Sequence, residues 1–328
     1  MTWLTWRQFR MHLLVAGAAL AAVAVYLLFS GFQLRDAYNG DMASGSGLSQ
    51  LASQYNFPYY FGSGLVLLVP GLIGAFWGAP LIARELETGT HRLVWNQSIT
   101  RTRWLTVKLL FVGAVAVATA GLLSLLVSWF AAPLDRINDN RFTPLLFSAR
   151  GIVPLGYAAF AVTLGACIGL LVRRTVPAMA ATLAIFAAVQ FLTPLAVRPH
   201  LESPARADVA LTAETMQSAS IIGFTNGTGP TAPFVADLTM PGAWVLSGAE
   251  QVRNSSDRAI TMATEPCEHT SGAGAYQNCL AKADLHVTVS YQPADRYWMF
   301  QWYETAIFLA LTAGLAGFSI WWLRRRLA

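Results

Sequence analysis

Apolar residues along the chain fall in long unbroken blocks rather than in stripes of period two or 3.6. Six blocks, 11–33, 62–82, 105–130, 151–172, 175–197 and 303–323, are each long enough to cross a hydrocarbon core of about 30 Å, which takes roughly 20 helical residues. The pattern predicts six transmembrane helices. Ahead of the first block, "MTWLTWRQFR" mixes Trp3, Trp6 and Phe9 with Arg7 and Arg10, which predicts a short interfacial helix at headgroup level. Between blocks five and six, residues 198–298 turn polar and Gly/Pro-rich, and about a hundred residues suffice for a small folded domain. Within it "PGAWVLSGAEQVRN" reads as helix, and "DLHVTVSYQ" alternates as a strand does. The expected fold class is therefore an all-α polytopic membrane protein of six transmembrane helices, with an N-terminal interfacial helix and a small mixed α/β extracellular domain.

The first block follows two arginines, as a signal peptide would. Its apolar run is too long for a signal core, and Tyr26, Leu27, Leu28 and Phe29 stand where small cleavage-site residues belong. It is expected to stay as an anchor. The second block holds Pro70, Gly71, Gly74 and Gly78. Its "GAFWG", like Gly165–Gly169 in the fourth, has the small-residue spacing that lets helices approach closely, between two protomers or within one.

Composition agrees with the pattern: 55% of the 328 residues are apolar and only 12% charged. Charge then sets the orientation. With the N-terminus inside, the cytoplasmic pieces are 1–10, 83–104 with Lys108, Arg173–Arg174 and Arg324–Arg326. They hold twelve Lys or Arg against two acids, Glu85 and Glu87. The opposite side holds ten basic residues against fourteen acids. Both termini are expected in the cytoplasm, because Lys and Arg accumulate on that side. The basic residues sit at span ends, which argues against nucleic acid as a partner and for the lipid bilayer. Twenty Arg against two Lys, with abundant Ala, is the bias of a GC-rich genome and points to a bacterial cell membrane.

Cys167 lies in "GACIG" of the fourth block, a small buried apolar site by default. Cys267 and Cys279 lie in the external segment, where oxidation is permitted, and are expected to pair. A metal site using His269 beside Cys267 is the alternative, and it lacks close ligand spacing. No metal is expected. The chain has no Gly-Lys pair and so no GxxxxGK[ST] phosphate loop; HExxH and GxSxG are missing too. Polar residues inside the blocks are few, chiefly Gln190 and Glu304, and make no catalytic constellation. A catalytic residue is not expected, nor a cofactor bound by this chain.

The most charged stretch is "ARELETGTHRLVWNQSITRTRWLTVKL", from Ala83 to Leu109, which carries five basic and two acidic residues. Gly89 is a natural helix terminator, so the second span should run through "ARELET" and stop there. Thr100 can cap the next helix, "HRLVWNQ" allows one or two helical turns, and Arg101, Arg103 and Lys108 suit inner-leaflet phosphates. Anchoring explains the basic residues. It does not explain Glu85 and Glu87, which anionic lipid repels and a protein partner would suit better.

This stretch resembles the cytoplasmic region of ABC-2 type transporter permeases: an acidic pair, Gly-Thr, a Leu-rich turn, Ser/Thr-Arg and a Lys entering the third span. The matching positions are Glu85, Glu87, Gly89, Thr90, Leu93, Arg101 and Lys108. The six-span plan and the large segment between spans five and six are similar as well, and "YQPADRYWMFQWYE" with "WWLRRR" resembles an actinobacterial subgroup. The resemblance implies a permease subunit of an exporter that pairs with a second permease, a homodimer in the simplest case, and with two copies of an ABC ATPase subunit. ATP and Mg would be bound by that ATPase. It implies ATPase contact through Arg84, Glu85, Glu87, Gly89, Thr90, His91 and Leu93. A substrate path between spans two and five would involve Phe76, Phe186, Gln190 and Phe191. The alternatives are a sensor or resistance component whose external domain binds an antibiotic or peptide, and a scaffold for an envelope assembly.

Overall fold

The computed structural model describes residues 2–44, 47–89, 100–138, 141–217, 219–224, 229–267, 270 and 272–326. They form two units. One comprises 1–139, 144–198 and 298–328, the other 140–143 and 199–297.

The helices among the described residues are α1 (Thr2–Ser44), α2 (Leu48–Gln54), α3 (Asn56–Glu87), α4 (Arg101–Asn138), α5 (Pro144–Ser148), α6 (Val153–Val172), α7 (Thr175–His200), α8 (Ala213–Gln217), α9 (Ala273–Lys282) and α10 (Tyr297–Arg326). Six of them, α1, α3, α4, α6, α7 and α10, are long and apolar enough to cross a membrane. Residues 2–10 are helical, as expected, and lead into the first span without a break. They are the first turns of α1, because no Gly or Pro interrupts the sequence before Gly17. Helix α7 also passes the expected exit at Pro194. Proline has no N–H to donate, and the helix accommodates it by widening into a π turn over Thr193–Val197 before a 3-10 turn at Arg198–His200.

The fourth span, α6, is the most buried, whereas α1, α7 and α10 leave apolar faces open. Glycine explains how α6 lies so close to α3. A Cβ on Gly74 would stand 2.5 Å from the Ala161 carbonyl oxygen, and one on Gly165 would stand 2.3 Å from that of Gly74. Gly78 and Gly169 meet Val162 and Ala79 backbone in the same way, at 2.7 and 2.5 Å. Both small-residue faces are therefore consumed within one chain and carry no argument for a second protomer. The chain widens into another π turn at this contact, Gly74–Gly78. Gly165→Val is expected to cost more than the ~1–3 kcal/mol of ordinary overpacking, since backbone cannot move aside as a side chain does. Gly64→Ala, on the same α3 but with nothing within 4 Å of its Cβ position, should be neutral or stabilising. Thermal unfolding of the two variants in detergent checks the contrast.

The second unit is a small α/β domain of two antiparallel sheets. One has the order β1 (Ala205–Ala210), β7 (Leu285–Gln292), β4 (Trp244–Val245), with β6 (Arg253–Asn254) also on β7; the other runs β2 (Ala219–Phe224), β3 (Phe234–Leu238), β5 (Glu250–Gln251). Strand β7 is the one that "DLHVTVSYQ" predicts, and its Leu285, Val287 and Val289 alternate into the core with Phe234, Val252 and Ile260. The helix expected over "PGAWVLSGAEQVRN" is instead β4, β5 and β6. Gly242 and Gly248 deny it continuity, and pairing with β7 and β3 outweighs the local preference.

Cys267 and Cys279 form a disulfide, with Cα atoms 6.0 Å apart and a sequence separation of 12. It ties the second half of α9 to the loop before the helix, and Cys267 is buried in the same core as Leu285 and Val287 of β7. Beside it Tyr276 donates to Glu265, and burial pushes the phenol well above its ordinary range. Replacing both cysteines by alanine should lower the domain's stability by about 2–4 kcal/mol. Non-reducing peptide mass spectrometry checks the bond, and thermal scans with and without reductant check its contribution.

Candidate functional site

The charged stretch builds a corner where three spans meet. Helix α3 ends at Glu87, Thr88 closes its last turn by donating from N and Oγ1 to the Arg84 carbonyl (3.0 and 2.8 Å), and Gly89 takes φ +73°. That value strains any residue with a side chain, so Gly89 terminates the second span as its sequence predicts. Thr100 Oγ1 accepts from the Arg103 N–H at 3.4 Å and caps α4, also as expected.

The two acids turn inward on the chain. Glu85 forms an ion pair with Lys108 of the third span, and Lys108 is buried, its ammonium 4.7 Å from the Trp104 ring centre. Lys108 is thus not a lipid-phosphate contact; burial beside Glu85 satisfies its charge better than the interface would. Glu87 accepts from the Thr175 N–H at 3.0 Å and from Thr175 Oγ1 at 2.6 Å. Its carboxylate therefore caps the fifth span, a service usually done by a residue next in sequence. The need for a cap is visible locally. Arg173 adopts φ 58° to end α6, Arg174 is extended, and Thr175 starts α7, whose first N–H groups have no acceptor within the helix. Arg84 is exposed, and Thr90, His91 and Leu93 lie outside the described residues.

At the opposite end of the same spans, α3, α5 and α7 enclose a recess of about 430 Å³. Phe186, Gln190 and Phe191 line it together, as does Gly64; Phe76 does not, and stands 53% exposed at the π turn of α3. Phe186 is buried against Gly71, whose Cβ would meet its ring at 2.7 Å. All lining side chains are apolar except Ser148 and Gln190. Ser148 is engaged, donating to the Pro144 carbonyl and accepting from Arg198. Gln190 Nε2 is buried and has no hydrogen-bond partner among the described residues.

Beyond the recess lies a polar cluster that sequence reasoning saw only as a lone Glu304. Arg198 Nε and Nη2 donate to the two Glu304 oxygens at 2.9 and 3.1 Å, and Nη1 donates to the Pro144 carbonyl at 3.1 Å. Tyr157 donates to Glu304 as well, and all three side chains are fully buried. One turn earlier Gln301 Oε1 accepts from the N–H groups of Ile152 and Val153 at 3.0 and 3.2 Å, which caps α6. A second pair, Arg150 with Asp135, is joined by Tyr59 Oη at 2.8 Å from Asp135. An acid inside an apolar span is a signal that a partner exists, but nothing local says which residue it is.

Six spans long and apolar enough to cross a bilayer, with ion pairs buried among them, define a polytopic membrane protein. The chain belongs to the ABC-2 membrane transporter related family, which matches residues 17–198, more than half of its length. Permeases of this kind work in a membrane with ATPase subunits. Neither curated proteins nor solved structures gave a match.

Proposed function

We propose that this chain is the membrane-spanning permease subunit of an ABC exporter in a bacterial cell membrane, with both termini in the cytoplasm. The loop 83–104 docks on a separate ATPase subunit, which holds ATP and Mg; two ATPase copies serve a pair of permeases. The substrate path runs between the second and fifth spans, past Phe186, Gln190 and Phe191. The observation that carries this reading is the corner. Glu85 grips the third span through Lys108, and Glu87 grips the fifth through Thr175. A push on the loop would reach three spans at once instead of bending one helix end. Direct contact by Glu85 and Glu87 with the ATPase gives way to a positioning role, with Arg84 and the loop beyond Gly89 supplying the contact surface.

Purified alone, the chain should turn over no ATP above background, and activity should appear only with an ATPase subunit added. Steady-state phosphate release measures both. Robust hydrolysis by the isolated chain would remove the assignment.

A further inference from the structure

We propose that the groove between α1 and α4, at the ends of these helices away from the charged corner, holds the phosphate of a bilayer phospholipid between Arg35 and Arg136. The inference requires that the chain span a membrane and does not rest on coupling to an ATPase. Arg35 is fixed in a way that an arginine merely reaching for water is not. Its Nη1 donates to the Gly31 carbonyl at 3.1 Å, its Nη2 donates to the Trp129 carbonyl, and its Cζ stands 3.7 Å from the centre of the Trp129 ring. Gly31 permits that approach, since a Cβ there would stand 2.4 Å from the ring. The Nε–H and one N–H on each terminal nitrogen are left over.

Arg136, exposed in the last turn of α4, is close enough for its charge to act on Arg35. Neither arginine forms an ion pair among the described residues. Asp135 is held by Arg150 and Tyr59, and Asp36 is exposed and pairs with neither. Arg136 complements the carbonyl end of its helix. Arg35 stands more than two turns short of Ser44, where α1 ends, and gains nothing of that kind. Two cations held together without an acid repel each other, and an oxyanion with several acceptor oxygens reverses the sign by accepting from both.

The rest of the groove says what the oxyanion is attached to. Toward the middle of the helices Phe32 meets Trp129 edge-on, ring centres 5.4 Å apart, and Leu28, Phe32, Leu122 and Leu125 are 37–69% exposed. Leu122, Leu125 and Trp129 are spaced by three and four and share one face of α4, as Leu28 and Phe32 share one face of α1. An apolar strip that ends in paired guanidinium groups suits an acyl chain with a phosphate at its head. Free phosphate would leave the strip uncovered, and an uncharged lipid would leave the arginines uncompensated. Arg35 also lies just past the apolar block 11–33, at the edge of the hydrocarbon, where lipid phosphates are.

The test reconstitutes the full-length chain in liposomes with two photoreactive probes of identical acyl chains, phosphatidylglycerol and diacylglycerol, each with a diazirine near the glycerol. Peptide mass spectrometry reads labelling of the segments 28–36 and 125–136. The phosphatidylglycerol probe should exceed the diacylglycerol probe there by about tenfold, as charge-assisted hydrogen bonds allow. Arg136→Gln changes an exposed side chain, so it should keep the wild-type unfolding temperature in detergent and lower that ratio several-fold. Adding Arg35→Gln should bring the ratio close to one. Millimolar inorganic phosphate should not displace the label, which separates a lipid phosphate from a free one, and neither should oleate, a carboxylate on the same kind of chain. The proposal is overturned if the two probes label these segments equally in the wild type, if Arg136→Gln leaves the ratio unchanged, or if inorganic phosphate or oleate displaces the phosphatidylglycerol probe.

Discussion

Arg198→Met should destabilise the membrane unit by about 3–5 kcal/mol, because it leaves Glu304 ionised, buried and without its cation. Glu304→Leu should do the same to Arg198. The two changes together should recover most of the loss, since an apolar pair of similar volume replaces a buried ion pair at little cost or none. The non-additivity is the informative part. Arg198 lies 106 residues from Glu304 in sequence, and its guanidinium also holds the Pro144 carbonyl and Ser148. Some penalty should therefore survive in the double variant, at the α5 end. Thermal unfolding of the three variants in detergent gives the coupling energy directly. Single variants that unfold like wild type would mean that the cluster is solvated and holds nothing together.

The second large effect is expected on transport rather than on stability. Gly89→Val forces a β-branched residue to φ +73°, a conformation open to glycine and strained for valine. Glu87→Ala removes an exposed cap of the fifth span, a change too small to unfold a six-span bundle. Neither change alters the count of basic residues, so insertion should stay normal. If the corner transmits motion, both variants should keep ATPase subunits bound or lose them partly, and transport per ATP hydrolysed should fall about tenfold or more. A loop that served only as an anchor would give wild-type transport in both. Assembly, ATPase rate and substrate movement measured side by side decide between these patterns. Glu87→Gln, which can still accept from Thr175, should rescue much of what Glu87→Ala loses.

Legibility followed the range of the interaction. The spans were readable because a block of twenty apolar residues has few other uses. Gly89 and Thr100 were readable because caps depend on residues within one turn of the helix end. The partners of Glu85, Glu87 and Glu304 were not, for they come from 23, 88 and 106 residues away. Each acid announced that something must satisfy it, without naming what. Lys108 misled for a related reason: a lysine near a span end suits a phosphate and a buried carboxylate equally well until the second span is placed beside it. The segment 241–254 failed differently. Its helix-forming residues are separated by glycines, and the edges of β3 and β7 were there to pair with. Phe186, Gln190 and Phe191 were named together from a resemblance, and the chain places all three on one recess. Phe76 lies apart from that recess, at the π turn of the second span.

The second unit draws one strip from outside its main segment. Residues 140–143 precede α5, yet Phe142 is wholly buried, its ring 5.6 Å from Tyr297 and 6.0 Å from Trp244, and Arg141 lies over the Tyr297 ring. The domain is therefore not severable at its obvious ends. A soluble fragment from 199 to 297 would lack the plug that fills its floor, a loss on the scale of a core Phe→Ala change at about 3–5 kcal/mol. Anyone wishing to crystallise or immunise with the second unit alone would need to graft Arg141–Thr143 back on, or supply it as a peptide.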